Sequence, residues 1–211
     1  MVVETKRSLK KFSNSEKSLI LINLIPLFGV LFFNWSVTTI LLIYWTESLV
    51  IGFFSILKIF YYTPLKKTDE APLPMRIFIS AFFTFHYGGF MMGHLIFIFA
   101  ITFFGKGVTP YSALLPIIKD SIIPVISSFL FLAISHTISF NQNFIKNKEY
   151  TKTKKRENVM VAPYKRIFLM QIVLIFGGIL STVFNSSAII ALFVILKIFL
   201  DIFAHRKEHE K

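Results

Sequence analysis

The sequence predicts an all-α protein, a polytopic membrane bundle of six transmembrane helices with both termini on the cytoplasmic side. Three observations carry this. Of the 211 residues, 55% are hydrophobic and 17% aromatic but only 16% are charged, against roughly a quarter charged in soluble domains. The deficit is concentrated in stretches long enough to cross a hydrocarbon core of about 30 Å at about 1.5 Å of rise per residue. Finally, Lys and Arg recur in alternate connections, as they do when cationic loops are retained in the cytoplasm.

A basic arm, 1–17, precedes the first span. It imitates the positive start of a secretory signal, but no small-residue cleavage site follows Phe33, so the first apolar stretch reads as a retained helix. The transmembrane domain covers 18–205, with spans over approximately 18–35, 37–60, 77–104, 121–140, 164–184 and 188–205, and 206–211 form a tail. Only Asn34, Trp35 and Ser36 separate the first two spans, and only Asn185, Ser186 and Ser187 the last two, so each pair reads as an antiparallel hairpin. The third stretch is long for one crossing, which implies tilt or extension past the lipid.

The cations orient this arrangement. The arm carries Lys6, Arg7, Lys10, Lys11 and Lys17, and the second connection Lys66, Lys67 and Arg76. The fourth connection carries Lys146, Lys148, Lys152, Lys154, Lys155, Arg156, Lys165 and Arg166, and the tail Arg206, Lys207 and Lys211. Of the 23 Lys and Arg only Lys106 and Lys119 fall on the other side, while Lys58 and Lys197 fall inside helices. The formal net charge of +12 is thereby explained by topology in a cell membrane, and nucleic acid is not an expected partner. The lipid bilayer is. The basic cytoplasmic loop 141–163 reads as a solvated connection that can press on anionic headgroups at about 1 kcal/mol per nearby cation. With no cysteine in the chain, disulfide frameworks, cysteine-ligated zinc or iron–sulfur sites and thiol nucleophiles are excluded.

Ionisable groups inside spanning helices are costly and turn toward a bundle interior or a wet cavity. Here they are Glu47 and Lys58 on the second span, His86 and His94 on the third, His136 on the fourth, and Lys197, Asp201 and His205 on the sixth, with Gln171 as an uncharged companion on the fifth. At 100° per residue Lys197, Asp201 and His205 share one stripe, and Glu47 and Lys58, three turns apart, lie along one side with Tyr44 close to that line. His86 and His94 are separated by about 12 Å along their helix, too far to ligate one ion together. Reckoned from the cytoplasmic side, Glu47 and Lys197 fall near mid-bilayer and Lys58 and Asp201 near the inner surface. Glu47 is expected to meet Lys197, and Lys58 to meet Asp201, if the second and sixth helices are neighbours. His86 and His136 fall in the same inner half. Gly89 and Gly93 form a GxxxG pattern that reads as a packing seam, as does the pair Gly177 and Gly178.

These residues support three readings. One is a metal-dependent membrane enzyme near the cytoplasmic face, with His86, His136, Asp201 and His205 as ligands of a divalent zinc or iron ion and Glu47 as general base. No HExxH signature accompanies it. The second is a proton- or ion-coupled transporter in which Glu47 and Lys197 titrate together and the histidines relay protons. With no internal repeat, six helices would need to form a homo-oligomer to build an alternating pathway. In the third, the buried charges only fix helix packing.

Four motifs add a resemblance. Tyr44-Trp45-Thr46-Glu47, Phe85-His86-Tyr87-Gly88-Gly89-Phe90 followed by His94, Pro163-Tyr164-Lys165-Arg166, and Lys197-Ile198-Phe199-Leu200-Asp201 followed by His205 together resemble an uncharacterised prokaryotic membrane-protein family, a domain of unknown function. The resemblance runs from Ser18 to His205. It implies a multi-helix membrane protein and supplies no activity.

Overall fold

The computed structural model describes residues 14–61, 71–106, 110–148, 156–183 and 190–199. All regular structure among them is helical: α1 (Asn14–Phe33), α2 (Val37–Tyr61), α3 (Leu73–Lys106), α4 (Pro110–Ser139), which continues into a π-helical turn over Phe140–Lys146, α5 (Arg156–Val183) and α6 (Ile190–Phe199). Among the described residues four stretches are long and apolar enough to cross a membrane: Val37–Tyr61, Leu73–Phe103, Leu114–Lys146 and Met160–Gly178. Leu24–Phe33 in α1 and Ile190–Phe199 are shorter apolar stretches. Apolar runs of this length satisfy their own backbone N–H and C=O groups as helices, which is why they take this form wherever water is scarce.

The helices outrun several of the predicted spans. Helix α4 starts at Pro110 rather than 121, α3 runs for 34 residues, and α5 begins at Arg156 rather than 164. Counting apolar residues locates the stretch that suits lipid, but a helix propagates through charged residues as long as each adds a backbone bond. Lys119 and Asp120 are carried on α4 in exposed positions. The basic connection is consequently helical at both ends.

The hairpin between α1 and α2 has a local cause. Asn34 adopts φ 51°, a left-handed conformation that Asn tolerates better than most residues. Ser36 then caps α2, its Oγ accepting from the Thr39 N–H at 3.2 Å.

Helix α2 is the axis of the bundle. Of its span 61% is buried, against 22%, 22% and 33% for α3, α4 and α5, and it packs on all three. One core joins Val30 of α1, Leu41 and Tyr44 of α2, Ile98 of α3, Leu174 of α5 and Val194 of α6. A second, toward the Tyr61 end, joins Ile59, Phe83, Tyr87, Met91 and Ile167.

In an apolar solvent such burial gives little net attraction, so close packing and interhelical hydrogen bonds must hold the helices together. Four bonds radiate from α2. Thr38 Oγ1 and Thr102 Oγ1 lie 2.9 Å apart, and Thr39 Oγ1 and Ser121 Oγ 2.8 Å. Trp45 Nε1–H donates to the Met91 carbonyl at 2.7 Å, and the Tyr87 hydroxyl donates to the Ser48 carbonyl at 2.6 Å. Each such bond is worth about 0.6 kcal/mol and at most about 1.7. Thr39→Val is therefore expected to lower the unfolding free energy in detergent by less than about 2 kcal/mol, leaving the fold intact by circular dichroism.

The two glycine pairs behave differently. A Cβ on Gly177 would lie 3.0 Å from Phe193 of α6, and one on Gly178 would strike Ile101 of α3, so this pair is a packing seam. Cβ atoms on Gly88, Gly89 and Gly93 would meet nothing within 4 Å. The seam expected at Gly89 and Gly93 is instead an open strip. Helix α5 runs alongside, and its Tyr164 and Gln171 meet the imidazoles of His86 and His94 on either side of the glycines.

Candidate functional site

Two polar groupings stand on this frame. The first lies where α2, α5 and α6 meet. Tyr44, Glu47 and Ser48 fall on the buried side of α2, and Lys197, one turn beyond Val194, faces them from α6. Its Nζ donates to Glu47 Oε2 at 3.0 Å and stands 4.3 Å from the centroid of the Tyr44 ring, over its electron-rich face. Arg166 of α5 brings Nη1 to 3.5 Å from Glu47 Oε1. Glu47 and Lys197 are only 9% and 6% exposed. A carboxylate withdrawn this far from water is tolerable because cations stand at both oxygens. Beside them lies a void of about 20 Å³ bordered by Glu47, Ser48, Arg166 and Lys197, room for one water.

His136 of α4 stacks on Phe54 of α2 with ring centroids 5.7 Å apart and stands within electrostatic reach of Arg166, Glu47 and Lys58. Lys58 places Nζ 5.8 Å from the centroid of Phe144. The partner expected for it, Asp201, lies outside the described residues, as does His205.

The second grouping lies between α3 and α5. His86 Nδ1 and Tyr164 Oη are 2.7 Å apart, and the imidazole is boxed by Phe82, stacked at 5.5 Å, and Phe90, edge-on at 5.2 Å. Two turns on, His94 Nε2 and Gln171 Oε1 are 2.7 Å apart. An amide oxygen only accepts, so His94 carries its proton on Nε2 and keeps a lone pair on Nδ1. That Nδ1 is buried without a hydrogen-bond partner among the described residues.

The candidate ligands His86 and His136 thus have different neighbours, Tyr164 for one and Phe54 for the other. Among the described residues no three His, Asp or Glu side chains converge as a metal ion requires. A family model described as a family of unknown function matches residues 7–211, nearly the whole chain. The chain belongs to the DUF6498 family. No curated protein and no solved structure matches it.

In this DUF6498 chain the site contains two residues, Tyr164 and Arg166, to which the sequence assigned no role in it. Arg166 was counted with the loop cations, yet it lies inside α5, one turn before the buried Met170 and two before Val173. Its helical phase with those apolar residues was the available signal. Tyr164 stands within the Pro163-Tyr164-Lys165-Arg166 motif, where nothing in the residue type announced a bond to His86.

Proposed function

We propose that the chain is a multi-pass protein of the cell membrane, with six crossings and cytoplasmic ends, and that it is a proton- or ion-coupled transporter in which Glu47 carries the proton. The contact of Lys197 and Arg166 with the two oxygens of Glu47 supports this reading above all. In the orientation read from the loop cations, Lys58 lies at the inner edge and Glu47 near mid-depth. His136 lies in electrostatic reach of both, so acids and bases run inward from the cytoplasmic edge to the middle of the bundle. Polar glue between membrane helices is ordinarily Ser, Thr and small residues. This bundle already has those bonds, so a carboxylate with two cations is more than packing asks for.

The chemistry follows from the geometry. While Lys197 and Arg166 hold it, the carboxylate stays ionised. A displacement of α6 from α2 withdraws Lys197, and an isolated carboxylate in a dry interior binds a proton rather than bear the desolvation. The water-sized void beside Glu47 is where that proton would be delivered, and His136 is the relay on its cytoplasmic side. Among the described residues no ligand set supports the metal-dependent enzyme.

Proteoliposomes holding the purified protein and an internal pH-sensitive dye test this. A proton flux above that of empty vesicles is expected, reduced to the empty-vesicle level by Glu47→Gln and partly kept by Glu47→Asp. Wild-type flux in Glu47→Gln, or no flux in the parent, would assign Glu47 to packing instead.

A further inference from the structure

The open strip on α3 is one wall of a cleft of about 450 Å³, within the range of small-molecule sites, about 300–1,000 Å³. Gly89 and Gly93 form its floor, Phe90 and Phe97 flank them, and His86, His94 and Gln171 supply the polar groups. We infer that this cleft is a binding site for a neutral, lipid-soluble ring compound with hydroxyl groups on opposite edges, the chemistry of a membrane quinol.

Four observations lead there. The lining residues include no Asp, Glu, Lys or Arg, so charge complementarity calls for a neutral guest, whereas the ion-paired cavity at Glu47 does not. The floor lacks side chains: nothing stands within 4 Å of where Cβ atoms on Gly89 and Gly93 would lie, so a flat ring can lie against backbone with Phe90 and Phe97 beside it. The polar groups stand at the two ends. His86 and His94 are eight residues apart, about 12 Å along the helix, a distance spanned by a six-membered ring with an oxygen at each end and a hydrogen bond of about 3 Å beyond each oxygen.

The fourth observation is an unmet demand. His94 is 4% exposed and its Nδ1 lone pair has no partner among the described residues, while its Nε2 is occupied by Gln171. A buried acceptor left unmatched costs about 1–3 kcal/mol, and a quinol hydroxyl would satisfy it once the imidazole, which lines the cleft, tilts to bring the enclosed Nδ1 to the cleft surface. At the other end Tyr164 occupies only Nδ1 of His86, leaving Nε2 for the second oxygen. A phospholipid acyl chain has no donor for His94. A second copy of this chain laid glycine to glycine would bring apolar neighbours such as Phe85 and Met92, both exposed on α3. The inference depends on the membrane location and not on the transport reading, and it concerns different residues.

The test uses the full chain in lipid nanodiscs and a radiolabelled decyl-benzoquinol kept reduced with dithionite under argon, with binding to empty discs subtracted. Saturable uptake of about one molecule per chain is expected. Gly93→Leu, which fills the floor, should weaken it by at least about tenfold. Gly88→Leu, whose Cβ also meets nothing within 4 Å but which does not line the cleft, should bind as the parent does, and its normal elution on gel filtration would show that a leucine on this helix is tolerated. Uptake that rises in proportion to lipid, or is equal in Gly93→Leu, overturns the inference. So does a parent that binds no quinol but forms a dimer that Gly93→Leu dissociates, which would make the strip a contact between copies.

Discussion

Lys197→Met is expected to be the most destabilising exchange in the bundle's core, lowering the unfolding free energy by about 3–5 kcal/mol, the usual cost of removing one partner from a buried ion pair. Methionine keeps most of the lysine stem's volume, so the loss reports charge rather than a cavity. Glu47 Oε2 would then lose its partner at 3.0 Å, and Arg166, 37% exposed on its side chain and 3.5 Å from the other oxygen, replaces little of what is lost. The companion Glu47→Leu removes the acid instead, leaving Lys197 and Arg166 close together. The double variant Glu47→Leu with Lys197→Met carries an apolar pair in the same space and is expected to be more stable than either single variant. A coupling energy of at least about 2 kcal/mol in that double-mutant cycle, measured by unfolding in mixed detergent, establishes the pair. Additive losses would mean that the two charges do not depend on one another.

Why this pair was legible and its third member was not follows from how charge stands out. Glu47 and Lys197 each interrupt a long apolar run, and counting residues from the cationic loops put them at one depth before any neighbour was known. Only the adjacency of α2 and α6 had to come from the structure. Arg166 interrupts nothing. It follows Lys165 at the end of a basic stretch and at the edge of the expected span 164–184, so it counted as a loop cation, although backbone bonding carries α5 back to Arg156. The glycines illustrate the complementary limit. Gly89 and Gly93 sit four apart on one face, which is all that spacing can state. Gly177 and Gly178 found Phe193 and Ile101 opposite them, whereas Gly89 and Gly93 found a gap, with His86 and His94 on either side bonded to α5. The face of a helix is encoded locally, but what stands opposite is a property of the whole bundle.

Gly52→Ala is the second exchange with a large expected effect, and it acts at the contact that sets the distance between α2 and α3. A Cβ at position 52 would strike the Tyr87 ring, with Cδ1 at 2.9 Å. Tyr87 has little room to retreat. Its hydroxyl donates to the Ser48 carbonyl at 2.6 Å, its ring stacks on Phe83 at 5.1 Å, and Tyr164 packs edge-on at 6.0 Å. Either the ring turns away, surrendering the hydrogen bond, or the helices part and strain the Trp45 bond to Met91 as well. Overpacking of this kind costs about 1–3 kcal/mol, and losing the hydrogen bond adds about 0.6, against roughly 1 kcal/mol gained in helix propensity over glycine. A net loss of about 0.6–2.6 kcal/mol is expected, where the same exchange at Gly88, with nothing within 4 Å, should leave stability unchanged or raise it. Tyr87→Leu placed with Gly52→Ala should recover part of the loss by removing the struck ring. Because Tyr164 bonds His86 while touching Tyr87, Gly52→Ala should also weaken quinol uptake at the α3 cleft, and Tyr87→Leu should not restore that uptake even where it restores stability, since the edge-on support of Tyr164 is then gone.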